Sequence, residues 1–362
     1  MIYCDYQATT PLAPEAREAM LRWLSGPEDM GFANPHSPHR AGRQAAAAVD
    51  IARERVARLF PAGGQIIFTS GATEAINLAM RGFHALQGDR RMAVSAIEHA
   101  AVLETAHALD SGAVELPVSD EGLVDPNCAL PENCGLCAVM QVNNEIGTIQ
   151  PVEELAQRAH ASGALFLCDA VQGAGKIAPP QEADLIAVSA HKLYGPKGIG
   201  ALWVRDGVEL ACVSTGGGQE AQLRSGTLSP ALCAGFGVAA ELAVERMEQD
   251  RADVEKIWLK AREMFADWTL NGAAEPRWHG NLNLRRDGLD VARLLSDART
   301  IAFSAGSACA SGSGRTSHVL RALGLSDAQA KNSIRLGFGR YTSMAELEEA
   351  AQIINDAAAK QG

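Results

Sequence analysis

The stretch DLIAVSAHKLYGPKGIGALWV, residues 184–204, contains two apolar runs that predict β-strands, with a glycine- and proline-rich turn between them. Ser189, His191 and Lys192 stand where the first run ends. One interpretation is a surface loop with an ordinary solvated lysine. The other is a binding site, since hydroxyl, imidazole and amine groups converge at the end of a buried strand. The flanking sequence shows which of these two interpretations is favoured.

The flanking sequence alternates between helical and extended patterns from about residue 43. Apolar residues at helical spacing occur in RQAAAAVDIARERVARLF, ATEAINLAMRGFHAL and VEELAQRAHASG, and β-rich runs such as QIIFT, RMAVSA, LCAVMQV and ALFLCDA lie between them. This order predicts an α/β fold with a mainly parallel sheet covered by helices on both faces. Ligands bind such sheets beyond the carboxyl ends of the strands, so the strand-end residues are the candidates for a site.

The last third of the chain predicts a smaller α+β domain. A helical stretch runs from about residue 228 to about residue 269, and short strands and helices follow it, ending in the amphipathic run MAELEEAAQIINDAAA. We therefore expect a large α/β domain over residues 13–250 and a small domain formed by residues 1–12 and 251–362.

Composition narrows the possible partners. The chain has 362 residues and a net charge of −11, which argues against nucleic acid or an anionic membrane as the main partner. The N-terminal sequence MIYCDYQATTPLAP does not resemble a signal peptide, and the sequence has no apolar run approaching the ~18 residues of a membrane span. We expect a cytoplasmic protein.

The eight cysteines show no disulfide framework, so reduced thiols are expected. Cys134 and Cys137 have the CxxC spacing of a redox or zinc pair. No second pair follows to complete a tetrahedral zinc site, and the two residues lead into an apolar run. We interpret them as structural and expect no metal site.

Polar residues follow other predicted strands as well. The segment FTSGATEA (68–75) passes from a strand through a glycine turn into a helix, whose free N–H groups and Thr73 hydroxyl could bind an anion. Asp169 and Gln172 follow the strand that ends in CDAVQ, and VNNEIG (142–147) ends another. Taken singly, each is equally consistent with helix capping.

Together, these strand ends match the needs of pyridoxal phosphate. That cofactor requires a lysine for a Schiff base, an anion site for its phosphate and a carboxylate at its pyridine nitrogen. Lys192 and Asp169 are placed for two of these roles. Lys176 and Lys197 are rival lysines, but neither directly follows a strand end with serine and histidine beside it.

Nine segments resemble those of the cysteine desulfurases, pyridoxal-phosphate enzymes of the class-V aminotransferase family. The match runs in order from residue 3 to about residue 345. The resemblance implies the fold of aspartate-aminotransferase-like PLP-dependent transferases, with a seven-stranded sheet, and favours the NifS/IscS-type branch over the SufS-type branch. The segments are YCDYQATTP (3–11), FTSGATEA, EHAAV (98–102), VNNEIGTIQ (142–150), CDAVQ (168–172), SAHKLYGPKGIGALWVR (189–205), GGGQE with LRSGTL (216–228), SAGSACAS (304–311) and SIRLGFGR (333–340).

The resemblance implies a role for each matching residue. Lys192 would form the Schiff base, His99 would stack on the ring and help to transfer protons, and Cys309 would accept sulfur. Asn144 and Arg335 would bind the substrate carboxylate, Arg335 as a bidentate fork. The remaining cofactor contacts would be Asp169 at the ring nitrogen, Gln172 at the ring hydroxyl, Ala72, Thr73, Ser189 and His191 at the phosphate, and Thr227 from the second subunit of a homodimer; Asn144 is counted among the cofactor contacts as well.

The implied reaction converts L-cysteine to L-alanine and leaves the sulfur on Cys309 as a persulfide. An acceptor, such as an iron–sulfur scaffold protein, would then receive it for cluster, cofactor or tRNA biosynthesis, and Cys309 would contact a scaffold's cluster only transiently. A selenocysteine lyase or another class-V aminotransferase-type enzyme is the alternative, although a plain aminotransferase would not need Cys309. A non-catalytic protein on this fold would not need Lys192, Asp169 and Cys309.

The glycine-rich sequence around Cys309 predicts a mobile loop over about residues 304–315, able to carry a persulfide from the cofactor to the surface. The chain departs from the family at Cys4 and Gln7, where an aliphatic residue and a serine are more usual. Members that serve the general scaffold have a longer C-terminal tail for docking, so the identity of the acceptor stays open.

Overall fold

The computed structural model describes residues 1–306 and 316–361. Cys309, and the expected mobility of the segment around it, lie outside the described residues. The strands are β1 (Ile2–Tyr3), β2 (Gly64–Thr69), β3 (Arg91–Ser95), β4 (Val114–Leu116), β5 (Cys134–Ala138), β6 (Leu165–Asp169), β7 (Leu185–Ser189), β8 (Gly200–Arg205), β9 (Thr269–Leu270), β10 (Asn281–Arg285), β11 (Ile301–Ala302), β12 (Ser304–Ala305) and β13 (Ser333–Gly337).

Helices follow most strands of the first two thirds of the chain, as the alternating pattern predicts. A single 3₁₀ turn, Ala190–Lys192, follows β7. The helices are α1 (Pro14–Leu21), α2 (Arg40–Ala57), α3 (Ala72–Gln87), α4 (Ala100–Leu109), α5 (Val152–Ala161), α6 (Pro230–Met264), α7 (Val291–Asp297), α8 (His318–Ala322), α9 (Asp327–Lys331) and α10 (Met344–Ala359).

Seven strands form the central sheet in the order β2-β8-β7-β6-β5-β3-β4. Only β8 runs antiparallel to its neighbours, β2 and β7. The expectation of a mainly parallel seven-stranded sheet is therefore confirmed. Because the other six strands share one direction, the ends of β2, β5, β6 and β7 meet at one edge of the sheet, which is where ligands bind in this architecture.

Apolar residues cover both faces of this sheet. On one face, Ile76, Met80 and Phe83 of α3 pack against β-strand side chains such as Leu167 and Leu185. On the other face, α2, α5 and α6 pack against a separate cluster. The inner strands β5, β6 and β7 are buried along almost their whole length, because a strand covered on both faces does not alternate between buried and exposed residues.

A separate hydrophobic cluster lies around the sheet β12-β13-β10-β9. Its members come from α7, α10, the second half of α6 and Cys4 near the N-terminus. Helix α6 contributes Phe236 to the central-sheet cluster and Trp258 to this one, so the expected boundary at residue 250 falls inside a continuous helix. The two separate clusters favour two domains, and that division stays a prediction.

Residues 4–13 form an N-terminal strap that connects the two sheets. The Cys4 N–H donates to the Ala302 carbonyl beside β1 and β11, and at the other end the Thr10 N–H donates to the His191 carbonyl at 2.9 Å. The strap therefore runs along the edge where the central strands end. In the described ranges, the helices are too short or too polar to cross a membrane.

Candidate active site

A cavity of about 500 Å³ opens at the carboxyl edge of the central sheet. Its wall brings together all the expected site residues except Thr227, which is exposed and lies outside this wall, and Cys309, which is not described. The expected residues in the wall are Ala72, Thr73, His99, Asn144, Asp169, Gln172, Ser189, His191, Lys192 and Arg335.

The amino-terminal end of α3 forms one end of this cavity. Its first residues, Ala72 and Thr73, follow Gly71, which packs directly against Gly200 at the start of β8. A Cβ atom on Gly200 would lie 2.7 Å from the Gly71 Cα, so only glycine allows this approach. The approach brings the free N–H groups of the helix next to β7, where Ser189 adds a hydroxyl, and together these groups can bind an anion.

His191 adds an uncharged ring to this end of the cavity. Burial, together with the positive charges of Lys192 and Lys197, lowers its pKa to about 4. The ring is therefore neutral near pH 7, and its Nδ1 lies 3.1 Å from the Thr9 hydroxyl of the strap. A neutral imidazole in this position can contact a phosphate as a hydrogen-bonding group.

Lys192 ends the 3₁₀ turn that follows β7. Its Nζ donates hydrogen bonds to the carbonyl oxygens of Gln7 and Ala8, the latter at 2.9 Å. The strap therefore holds the amine at the cavity wall. The position expected from the sequence, directly beyond the end of a buried strand, is the position found.

Asp169 lies at the end of β6, the strand next to β7. Its side chain is buried, and Oδ1 accepts a hydrogen bond from the Val171 N–H at 3.0 Å. Burial raises the pKa of this carboxyl, whereas the charges of His99 and Lys192 act in the opposite direction. A cationic ring nitrogen placed beside it would favour the ionised form in the same way.

These groups fit pyridoxal phosphate. A buried carboxylate, a lysine amine and a helix N-terminus with nearby hydroxyl groups line one cavity, which is the set of groups that this cofactor needs. Gln172 adds an amide, whose Nε2 donates to the Gln7 carbonyl at 3.0 Å. Of the rival lysines, Lys197 lines the cavity, while Lys176 is 3.5 Å from the Gln172 Oε1 and does not line it.

Arg335 on β13 brings a cation from the smaller sheet to the cavity. Its side chain is 1% exposed. Nη2 forms an ion pair with Asp5 Oδ1 at 2.8 Å, and Nη1 donates to the Asn144 carbonyl at 3.0 Å. The Arg335 guanidinium is thus available to a carboxylate in the cavity.

Sequence reasoning missed the role of the strap and of two buried acids. Asp5, Gln7 and Ala8 touch proposed site residues, although the motif YCDYQATTP was recognised without a role for any of them. Glu98 and Glu145 are also buried near the site, and burial raises the pKa of both. The sequence signal for these two acids was a carboxylate close to apolar residues, in SAIEHAAV for Glu98 and in VNNEIG for Glu145.

Residues 2–349 match the family model for class-V aminotransferases. This chain belongs to that family. It is 41% identical to the cysteine desulfurase IscS of Rickettsia akari (strain Hartford) over 98% of this chain and 90% of that protein.

Two solved structures of family members resemble the fold closely. A NifS-like protein superposes with a TM-score of 0.90 at 30% identity, covering 99% of both chains. The structure of SspA in complex with cysteine gives a TM-score of 0.83 at 33% identity, covering 95% of this chain and 100% of that one. The α/β fold of the PLP-dependent transferases is thereby confirmed.

The relatives also bear on activity. Cysteine desulfuration, the activity expected from the sequence, is confirmed by these family matches, and they do not favour a selenocysteine lyase or another class-V enzyme. Use of pyridoxal phosphate is a general property of the class-V family. The cavity described above is the part of this chain that suits both the cofactor and an amino-acid substrate.

Proposed function

We propose that the cavity is where this desulfurase acts on L-cysteine, with pyridoxal phosphate attached to Lys192 and with Cys309 receiving the sulfur. The observation that carries the proposal is the convergence of Lys192, Asp169 and the α3 N-terminus, from three different segments, on one cavity wall. Each of these features alone is common in α/β proteins. Their combination at one strand edge is what the cofactor requires.

Different residues around the cavity would bind different parts of the cofactor. Asp169 would hold the ring nitrogen in its protonated form, and Gln172 would contact the ring hydroxyl. Ala72, Thr73, Ser189 and His191 would bind the phosphate. When bound, pyridoxal phosphate withdraws electrons from the substrate Cα and so stabilises the carbanion that forms there.

His99 and Lys192 are the groups that would move protons. His99 caps α4, and its Nδ1 accepts a hydrogen bond from the Ala101 N–H at 3.1 Å. A neutral His99 therefore carries its proton on Nε2, where it can donate to a group in the cavity. Lys192 Nζ would take a proton from the substrate Cα, because an amine beside other cations in a partly desolvated site is a usable base.

The substrate carboxylate would bind Arg335, with Asn144 beside it. Ser304 of β12 pairs with Arg335 of β13, so the last described residues before Cys309 lie next to this proposed carboxylate site. The Cys309 thiolate would attack the sulfur of L-cysteine. The new S–S bond forms as the Cβ–S bond breaks, its electron pair stays on the carbon, and protonation there completes L-alanine.

We further propose a cytoplasmic homodimer that passes the persulfide sulfur to an iron–sulfur scaffold or another acceptor protein. Thr227 is exposed and lies outside the cavity of its own chain. This position suits a hydroxyl that contacts the cofactor phosphate of the second subunit. Each complete site would then need both copies.

The test is to incubate the purified protein with L-cysteine and to quantify L-alanine and sulfide. Lys192→Ala should lose the yellow absorbance of the lysine-bound cofactor and the activity together. Lys197→Ala is the matched control, since Lys197 lines the same cavity and should leave the cofactor attached. Attachment that survives in Lys192→Ala would contradict the assignment.

The sulfur acceptor is tested separately. Cys309→Ser should keep the absorbance but form no persulfide, as measured by mass spectrometry of the protein after one turnover. Cys212→Ser is the matched control because Cys212 is an exposed free thiol away from the cavity. Release of sulfide by Cys309→Ser at the wild-type rate would show that Cys309 is not the acceptor.

A further inference from the structure

The guanidinium of Arg335 is held from two sides by other parts of the chain. Asp5 Oδ1 is 2.8 Å from Nη2, and the Asn144 carbonyl oxygen is 3.0 Å from Nη1. These two contacts come from segments that are far apart in the sequence, yet both act on a side chain that is 1% exposed. The plane of the guanidinium is therefore fixed by its surroundings.

The third nitrogen of Arg335 has a different environment. Nε is buried and, within the part of the chain that the structure describes, has no hydrogen-bond partner. A guanidinium carries five N–H groups, so one on Nε and one on each Nη are left after the contacts to Asp5 and Asn144. Arg335 lines the cavity, and the N–H groups left on its Nε–Nη2 edge are of the kind that binds a carboxylate in the bidentate manner that arginine favours.

Asp5 is itself held in place by its backbone. It bridges to Gly337 at the end of β13, and its carbonyl oxygen accepts hydrogen bonds from the Tyr3 hydroxyl at 3.1 Å and the Ala8 N–H at 2.9 Å. The carboxylate cannot move far from Arg335 without disturbing the strap.

We propose that Asp5 is a positioning residue for substrate binding: it fixes the Arg335 guanidinium so that the Nε–Nη2 edge receives the carboxylate of L-cysteine. The inference rests on the proposed role of Arg335 in the desulfurase reaction. It assigns a function to a residue of the strap that itself touches neither the cofactor nor the reacting sulfur.

An opposite role for Asp5 is conceivable, in which its carboxylate occupies the place of the substrate carboxylate and competes with it. Two observations argue against competition. Asp5 contacts only Nη2, which leaves Nε unpaired, and its backbone is anchored at three points. The two roles predict opposite changes in KM, so one variant separates them.

The test is Asp5→Asn in the holoenzyme, which removes the charge and keeps the shape. Charge-assisted hydrogen bonds of this kind contribute about 1.5 to 3 kcal/mol, which corresponds to roughly a 10- to 150-fold change. We expect KM for L-cysteine to rise about tenfold or more while kcat changes less than about threefold. The affinity for L-alanine, read from the shift in cofactor absorbance, should fall by a similar factor.

A double-mutant cycle shows whether Asp5 acts through Arg335. In the Arg335→Gln background, Asp5→Asn should cause no further rise in KM and no further loss of L-alanine affinity. Asp287→Asn is the matched control, because Asp287 pairs with Arg285 at 3.0 Å in an exposed position on the same sheet region. It should leave KM and kcat unchanged.

Three results would overturn the proposal. The first two are a lower KM or an unchanged KM in Asp5→Asn. The third is a rise in KM on Asp5→Asn that is as large in the Arg335→Gln background as in the wild type. If Asp5→Asn does not fold, Asp5→Ser also removes the charge, and an unchanged KM there would overturn it equally. Failure of the proposed function looks different. The wild-type protein would then make no L-alanine from L-cysteine, while the absorbance titration with L-alanine would still report on Asp5.

Discussion

At the scale of single residues, Glu98 shows what burial does to an ordinary carboxyl group. It is 1% exposed and lies between the ends of β3 and β5, where Oε1 accepts hydrogen bonds from the Ser95 hydroxyl and from the Met140 N–H at 2.7 Å. Burial, together with the negative charge of the nearby Asp169, raises its pKa to about 8. Near pH 7 the group is therefore mostly protonated in the folded protein.

This raised pKa predicts how stability depends on pH. Because the folded state keeps the Glu98 proton up to about pH 8, while the unfolded chain loses it near its usual 4.5, Glu98 should lower the free energy of unfolding progressively as pH rises between those values. Glu98→Gln cannot titrate, so it should lose less stability than the wild type between about pH 5 and pH 8. Urea unfolding of the apo-protein at both pH values measures this, and equal losses in the two proteins would contradict the assignment.

The sequence predicts some residues of the site much better than others. Lys192 and Asp169 could be predicted because each directly follows its own apolar strand, and parallel strands end at one edge. The pairing of Asp5 with Arg335 could not, since the two residues are 330 positions apart and meet through β13 and the strap. The protonation of Glu98 depends on burial, which a local pattern does not contain.

At the scale of elements, Glu220 joins a helix to a strand. Its carboxylate is 1% exposed, binds Arg53 of α2 with both oxygens at 2.7 Å and accepts a hydrogen bond from the Phe68 N–H of β2 at 2.6 Å. Strand β2 ends at Thr69, and Gly71 then leads into α3, whose N-terminus is the proposed anion site. The glutamate of the GGGQE motif thus stabilises the strand that positions this site.

We expect Glu220→Gln to destabilise the protein by about 2 to 3 kcal/mol. This is below the range for fully buried pairs, because Arg53 is partly exposed. Glu241→Gln is the matched control: Glu241 contacts Arg55 and Arg58 at 3.3 and 3.4 Å in more exposed positions, and should cost less than about 1 kcal/mol. Chemical denaturation measures both values, and similar losses in the two variants would contradict the role of Glu220.

Periodicity predicted most elements because helices and buried strands differ in length and in the spacing of their apolar residues. It did not reveal that β8 runs antiparallel to its neighbours, since a buried strand looks the same in either direction. It also did not reveal that α6 continues without a break from one hydrophobic cluster into the other. Direction and continuity are properties of tertiary packing.

At the scale of the whole molecule, one long helix, α6, contributes to a hydrophobic cluster of the central sheet and to that of the smaller sheet. Phe236 of α6 belongs to the cluster of the central sheet, and Trp258 belongs to that of the smaller sheet. A molecule built in this way can lose packing in one cluster while the other keeps it. Residues 1–12 and 251–362 would then loosen as one unit, which is the proposed small domain.

Paired cavity variants test this division. Leu284→Ala in β10 and Leu167→Ala in β6 each remove a fully buried side chain, at a cost of about 2 to 5 kcal/mol. Hydrogen exchange should quicken in β10, β13 and α10 for the first variant, and in β5, β6 and β7 for the second. If either variant accelerated exchange in both sheets equally, the chain would unfold as one unit and the domain prediction would be wrong.

The pairing of β1 with β11 has a consequence for synthesis on the ribosome. Ile2 and Tyr3 leave the ribosome long before their partners Ile301 and Ala302 are made. At ~5–20 residues per second, the strap waits roughly 15 to 60 s for the strand that anchors it. Until then the nascent chain lacks the Asp5–Arg335 pair, so the proposed substrate site is completed only near the end of translation.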